Sequence, residues 1–333
     1  MVEGQKVVLL VASGMTGLLV GSFLNVCIFR LPRNCMSIVR PRSRCPKCLH
    51  FIVWYDNIPV LSWILLGGKC RFCKAPISPR YALIELLTGA LYFYAGWRAL
   101  YSTARPGVDE AVLFVVEAWF LGALIVCTFI DFDFRILPDE VTLSGIVIGL
   151  AASAAFPHAN HLQGGLLSFL SSVLEFVHRS PIRADKLPRF LVEPHVASFI
   201  NSLFGAALGW MSIYVVGLFG KILFRKKIER LGETVAMGFG DVKYMAMLGA
   251  VLGPKGVLLT LVLASLLGTV YGLGKLIVLR RMGYVAFGPF LSTGALTMLF
   301  WPRQVDRLIQ LYMELMNSLS ARVVAWFLSS SPR

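Results

Sequence analysis

The chain has 333 residues, 57% of them hydrophobic and only 15% charged, with a mean hydropathy of +0.72. That balance excludes an ordinary water-soluble domain. A formal charge of +14 would suit a nucleic-acid binder, but the basic residues gather in a few loops between apolar runs, so membrane topology explains them better and no nucleic-acid partner is expected.

Apolar runs long enough to cross a bilayer, about 20 residues each, are predicted near 7–29, 81–100, 111–130, 140–156, 198–224, 256–279 and 285–301. With a shorter run at 244–253 they make an all-α polytopic membrane protein of about eight transmembrane helices. The first run is too long for a typical signal core, contains Asn25, and precedes no small-residue cleavage site, so it is expected to remain as a helix. Gly21, Ser22 and Asn25 stand on it at helical spacing, the pattern of a helix-packing face in membranes.

The following loop holds Arg30, Arg33, Arg40, Arg42, Arg44, Lys47, Lys69, Arg71, Lys74 and Arg80 against one acid, Asp56. The positive-inside rule places it in the cytoplasm. Counting onward, 131–139, 225–243 and 280–283 share that side. Both termini, the polar insertion of about 157–197 and the Gly253-Pro254-Lys255-Gly256 turn take the other. Within the basic loop lie CPKC, Cys45 to Cys48, and CRFC, Cys70 to Cys73. Two such knuckles supply four soft ligands for a tetrahedral zinc, and four protein ligands leave no open position, so the ion would be structural. A dithiol redox site or four unrelated buried thiols are the alternatives. Cys27, Cys35 and Cys127 read as small hydrophobes.

The third run ends in IDFDFRILPDE, Ile130 to Glu140. Carboxylates at a membrane boundary are costly unless they line a wet cleft, and each is a functional candidate. Pro138 suits the start of a helix whose first turn favours Asp139 and Glu140, as capping residues. Asp131 has no such structural excuse. Further on, MGFGDVK places Asp241 behind Gly238 and Gly240, at the front of a helix that reaches only to Gly253, about 20 Å and too short for the hydrocarbon core. Glycines there let the chain bend and a substrate strand approach.

Topology brings Asp131 and Asp241 to the same boundary. Two neighbouring carboxylates share one proton, and such a pair can activate water while protonating a carbonyl, as peptide hydrolysis needs. Helix ends favour Asp241 as the anionic base and Asp131 as the protonated acid.

Gly21 to Pro32, the two Cys-x-x-Cys knuckles, Leu66 to Cys70, Asp131 with Leu137-Pro138-Asp139, Gly238 to Asp241, and Phe287-Gly288-Pro289, in that order, resemble the type IV prepilin peptidases, membrane aspartyl proteases of the GxGD class. The resemblance implies removal of the basic leader of prepilins and pseudopilins at the cytoplasmic face of the bacterial inner membrane. In bifunctional members it also implies N-methylation with S-adenosylmethionine. It puts Asp131 and Asp241 in the catalytic positions, with Gly238, Gly240 and Asp139 as support. It matches Gly68 to a glycine tied to methylation, and Cys45, Cys48, Cys70 and Cys73 to the family's zinc-binding module. The implied organisation is a first transmembrane helix over 1–32, the cytoplasmic zinc module over 33–80, a peptidase core over 81–302 and an amphipathic tail over 303–333.

The basic loop would repel a basic leader and is assigned to topology and anionic headgroups. Asp133, Asp139 and Glu233 are candidates to attract the leader's lysines. The insertion, with His158, His161, His178 and His195, departs from the family pattern, as does Val285-Ala286 where a proline is common. The tail, Val305 to Phe327, has the spacing of an amphipathic helix lying on the outer surface. A peptidase without methylation is the nearest alternative. An ion-coupled transporter would spread its carboxylates across the bilayer, and a thiol oxidoreductase would place its cysteines on the oxidising side.

Overall fold

A computed structural model describes residues 3–33, 37–101, 108–157, 193–223, 238–279 and 286–329. Among these the chain is helical, apart from a small irregular module. The helices are α1, Glu3–Arg30; α2, Leu61–Leu65; α3, Arg80–Tyr101; α4, Val108–Phe134; α5, Asp139–Ala155; α6, Pro194–Leu223; α7, Phe239–Leu279; α8, Gly288–Phe300; and α9, Pro302–Ser329. Four are long and apolar enough to cross a membrane, in α1, α4, α6 and α7, and α8 is a shorter apolar helix.

Helix α4 is the hub. Of its most apolar stretch 61% is buried inside the protein, against 22% for each of the other three. Phe120, Leu121, Leu124 and Cys127 of α4 pack with Tyr244, Met245 and Leu248 of α7 and Leu291, Ala295 and Leu299 of α8 in one core. The outer helices instead expose apolar side chains, Val8, Met15 and Leu19 on α1 and Leu266, Val270 and Ile277 on α7 among them. A surface of that kind needs lipid.

Because lipid removes any hydrophobic gain from helix pairing, close backbone approach does the work. The α6–α7 crossing shows it: a Cβ on Gly249 would fall 2.0 Å from the Gly205 carbonyl oxygen, and one on Gly205 would fall 2.3 Å from that of Gly249. The stripe on α1 behaves alike. Gly17 and Gly21 lie against Thr88 and Glu85 of α3, and Asn25 Nδ2 donates to the Tyr81 carbonyl at 3.0 Å.

Helix α7 folds back on itself. Gly253 has φ 73° and ψ 179°, outside helical space, and Pro254 follows it. Before it, Tyr244 meets Ser292 near the start of α8. Just past it, Lys255 pairs with Asp306 beyond the far end of α8 at 2.8 Å. The chain then returns until the Tyr271 ring meets that of Phe290 at a tilt, centroids 5.5 Å apart. The reversal was expected as a four-residue turn, but one glycine suffices, because Pro254 can open the second helix where its missing N–H has no partner anyway.

Helix α6 opens at Pro194, inside the segment expected to be a polar insertion, and His195 Nδ1 lies 2.8 Å from the Ala154 carbonyl. His158, His161 and His178 lie outside the described residues, as do Cys35, Glu233 and Val285. The tail is helical as α9, with Leu308, Leu311, Tyr312 and Met316 exposed and Val305 buried.

Candidate active site and metal centre

One end of the bundle gathers the end of α4 and the starts of α5, α7 and α8. Helix α4 stops because Arg135 takes φ 57° while its N–H donates to the Asp131 carbonyl at 2.9 Å, the left-handed ending common at helix C-termini. Asp131 therefore stands in the last turn of α4, 4% exposed. Asp241 stands in the first turn of α7, partly buried, and its N–H donates to Gly238 O at 3.1 Å. The two carboxylates are near enough for their charges to interact.

Three contacts set this geometry. Gly240 lies against Leu137, where an added Cβ would come within 3.2 Å, so the GFGD turn rests on the α4–α5 connection. Lys243 Nζ bonds both Asp139 oxygens, at 2.8 and 2.7 Å, and ties α7 to α5. Gly288 N, at the start of α8, donates to Asp131 Oδ2 at 2.9 Å. A turn deeper, Cys127, Tyr244 and Ser292 form a closed floor, with Tyr244 Oη and Ser292 Oγ 2.7 Å apart and the serine also donating to Gly288 O at 2.9 Å. Gly288, Tyr244 and Ser292 were not read from sequence as parts of the site. Tyr244 at three residues after Asp241, and Ser292 at four after Gly288, were the available signals.

Two expectations need correction. Asp139 and Glu140 sit in the first turn of α5, but Pro138 occupies the N-cap and no side chain caps it; Asp139 faces Lys243 instead. Two of the acids expected to attract a basic leader already have one cation partner each, Asp133 with Arg80 at 2.7 Å and Asp139 with Lys243 at 2.7 Å. The acid-and-base assignment from helix ends is also incomplete. Asp131 sits between the C-terminus of α4 and the N-terminus of α8, whose dipoles act on its charge in opposite senses, so the pair is best treated as one unit.

Beside this end lies the cysteine module. Its two knuckles repeat one backbone: Cys45 N–H donates to His50 O and Cys70 N–H to Ala75 O, both at 2.9 Å, and the residue after each second cysteine, Leu49 or Lys74, has φ near 60°. The four sulfurs lie within 4.8 Å of one another, with Cys45–Cys73 at 3.8 Å and Cys48–Cys70 at 3.9 Å. Tetrahedral thiolates at 2.3 Å from a zinc ion stand about 3.8 Å apart, so the quartet fits such a cation. The Cys48 N–H pointed at its sulfur holds Cys45 down at about 6, and the Cys73 and Phe72 N–H groups lower Cys70. Cys48, despite the His50 N–H, is pushed up to about 11 by desolvation and its sulfur neighbours. Such a quartet sheds its first protons readily and its last only when a cation balances them.

Gly67 and Gly68 link the second knuckle to α2 with φ of 60° and 65°, and Gly68 packs on the Trp63 ring. The module is fastened to the bundle by Arg30, which donates to Ser37 O and Pro41 O at 2.8 and 2.7 Å, and by Glu85 of α3, which accepts from Val60 N at 2.7 Å. Within it Arg71 donates to both Asp56 oxygens and holds that carboxyl below the usual range.

The family model described as the type IV leader peptidase family matches residues 118–179 and 187–273, and that of the bacterial peptidase A24 N-terminal domain matches 15–99. A prepilin leader peptidase/N-methyltransferase of Pseudomonas aeruginosa is 32% identical over 320 residues, 88% of this chain and 90% of that protein. The chain belongs to the type IV leader peptidase family. A relative of the same description from Myxococcus xanthus is 37% identical over 271 residues, 80% of this chain but 63% of its own length. A type 4 prepilin-like proteins leader peptide-processing enzyme of Escherichia coli is 30% identical over 303 residues, 85% of this chain and 91% of that protein. No solved structure matches. The A24 N-terminal match takes in the cysteine module together with the second half of α1 and most of α3, and the leader peptidase match takes in both aspartates, so the two sites described above fall in separately recognised parts of the family.

Proposed function

We propose that the chain is a bifunctional membrane enzyme that removes the leader from type IV prepilin-like substrates and N-methylates the new terminus. The observation that carries the first half is the convergence of Asp131 and Asp241, from two helices, over a sealed floor at one end of the bundle. One carboxylate takes a proton from water as its oxygen attacks the scissile carbonyl carbon, while the protonated partner gives its proton to the carbonyl oxygen. Collapse of the diol breaks the C–N bond, and a dyad proton passes to the leaving amine. The Gly288 N–H holds Asp131 in place throughout, and Gly238 and Gly240 leave room for the substrate strand.

The apolar part of a precursor approaches from lipid at the end of the bundle where α7 begins with exposed Phe239, since 244–252 are buried, and so brings its junction to the dyad. Counting the two halves of α7 separately, with α1, α3, α4, α5, α6 and α8, makes eight crossings. The basic loop then puts the active end at the cytoplasmic face of the inner membrane. Cys45, Cys48, Cys70 and Cys73 would hold a structural zinc ion, whose chemistry there would be to tie the two knuckles together. The methyl group for the new amine would come from S-adenosylmethionine, which would leave as S-adenosylhomocysteine with loss of a proton from the amine. Retention of the whole cysteine module and of Gly68 favours the bifunctional reading over a peptidase alone.

The test is incubation of purified protein with a prepilin and labelled S-adenosylmethionine. Wild type is expected to yield a shortened, labelled product, and Asp131→Asn and Asp241→Asn none. Cleavage by Asp241→Asn would end the dyad reading; cleaved but unlabelled wild-type product would decide for the peptidase alone.

A further inference from the structure

Residues two apart on a helix point about 200° from one another, so Asp133 turns away from the dyad. It lines a separate cavity of about 250 Å³ between α1, α3 and the end of α4, together with Asn25, Phe29, Arg33, Arg80 and Phe134. The cavity adjoins both halves of the protein: Arg33 stands where α1 gives way to the cysteine module, and Asp133 follows Asp131 by two residues.

Its charges are unevenly satisfied. Arg80 is saturated, with Nη1 and Nη2 on the two Asp133 oxygens at 2.8 and 2.7 Å and its guanidinium over the Phe129 ring. Arg33 differs. Its guanidinium lies 4.0 Å from the Phe29 centroid and 4.9 Å from that of Phe134, it donates to the Phe29 carbonyl, and no carboxylate pairs with it among the described residues. A planar guanidinium flanked by rings is built for a bidentate carboxylate. Each Asp133 oxygen keeps a second lone pair beyond the one given to Arg80. A fixed cation without an anion, an anion with spare acceptors and aromatic faces in one cavity match a zwitterionic α-amino acid bearing a further positive centre, which aromatic faces attract.

We propose that this cavity holds the amino-acid and sulfonium end of the methyl donor, with the donor's carboxylate on Arg33 and its ammonium on Asp133. The volume is just under the roughly 300–1,000 Å³ that encloses a drug-sized ligand, so the nucleoside end reaches to the mouth. The inference rests on the methyltransferase reading, and it gives that reading a place: the new amine forms at Asp131 while the donor waits on the opposite side of the same helix end.

Binding is measured directly, apart from turnover, by titrating S-adenosylhomocysteine into the full chain in lipid nanodiscs. Arg33→Glu is expected to weaken binding by about tenfold or more, as removal of a charged hydrogen bond does, and Asp133→Asn by several-fold. Asp241→Asn should bind like the unaltered protein, and its cleavage result speaks to the dyad alone. Unchanged affinity in a folded Arg33→Glu protein overturns the proposal, as does loss of a co-purifying phospholipid from that variant with nucleoside binding intact. If Arg33→Glu does not fold, ultraviolet cross-linking of labelled S-adenosylmethionine to the unaltered chain decides. Label on 25–33, 78–84 or 133–134 supports the site, and label confined elsewhere refutes it.

Discussion

Gly288→Ala isolates the third partner of the dyad. Gly288 has no left-handed φ, so alanine is acceptable to the backbone, but its Cβ would stand 2.7 Å from Asp131 Oδ2 and 3.1 Å from Cβ and Cγ of the same residue. Ordinary contact begins at 3.4 Å, so the carboxylate must retreat by about 0.7 Å. That retreat stretches the 2.9 Å bond from Gly288 N beyond useful length. A hydrogen bond to a charged group contributes about 1.5–3 kcal/mol, so kcat for leader removal should fall by roughly 10- to 150-fold, with KM little changed. Cleavage of a purified prepilin in detergent measures this, with thermal unfolding alongside. Gly272→Ala, where an added Cβ meets nothing within 4 Å, is the control and should match wild type. A Gly288→Ala enzyme with normal melting and kcat within about threefold of wild type would show that the α8 amide does not position Asp131.

Gly249→Ala should destabilise the bundle by at least about 1–3 kcal/mol, since its Cβ would strike backbone, the Gly205 carbonyl at 2.0 Å, which has no rotamer to escape into; an unaltered unfolding midpoint in detergent would contradict the crossing. Cys70→Ser should lower the zinc content of purified protein from one ion per chain and loosen both knuckles; full zinc occupancy in that variant would mean the quartet is not the ligand set. The Asp56–Arg71 pair predicts a pH effect whose sign follows from the lowered Asp56 carboxyl. Its contribution is complete above the unfolded value of about 3.9 and vanishes as pH falls through the lower folded value. Hydrogen exchange over 54–74 should therefore be faster in Asp56→Asn than in wild type at pH 6, with the gap narrowing as pH falls below about 3.9; a gap that does not change with pH would refute the pairing.

Much of the site was legible because its signals are local. The apolar runs, the two knuckles and the glycines before Asp241 are each contained in one short stretch, and charge asymmetry alone set Asp131 and Asp241 on one side. What escaped reading is long-range partner choice. Arg80 and Asp133 are 53 residues apart, Lys243 and Asp139 are 104 apart, and Gly288 and Asp131 are 157 apart. Sequence showed the acids without the cations, Arg80 and Lys243, that folding brings to them. The floor under the dyad was hidden because Tyr244 and Ser292 lie in apolar runs that read as plain membrane helix.

The first two turns of α3 carry Arg80, clasped to Asp133, and Glu85, which receives the Val60 amide of the cysteine module. That short length of helix is a crank between the cysteine module and the end of α4, gripping one at each of its two contacts. Severing the crank at Glu85 should free the module while leaving the Arg80–Asp133 clasp in place.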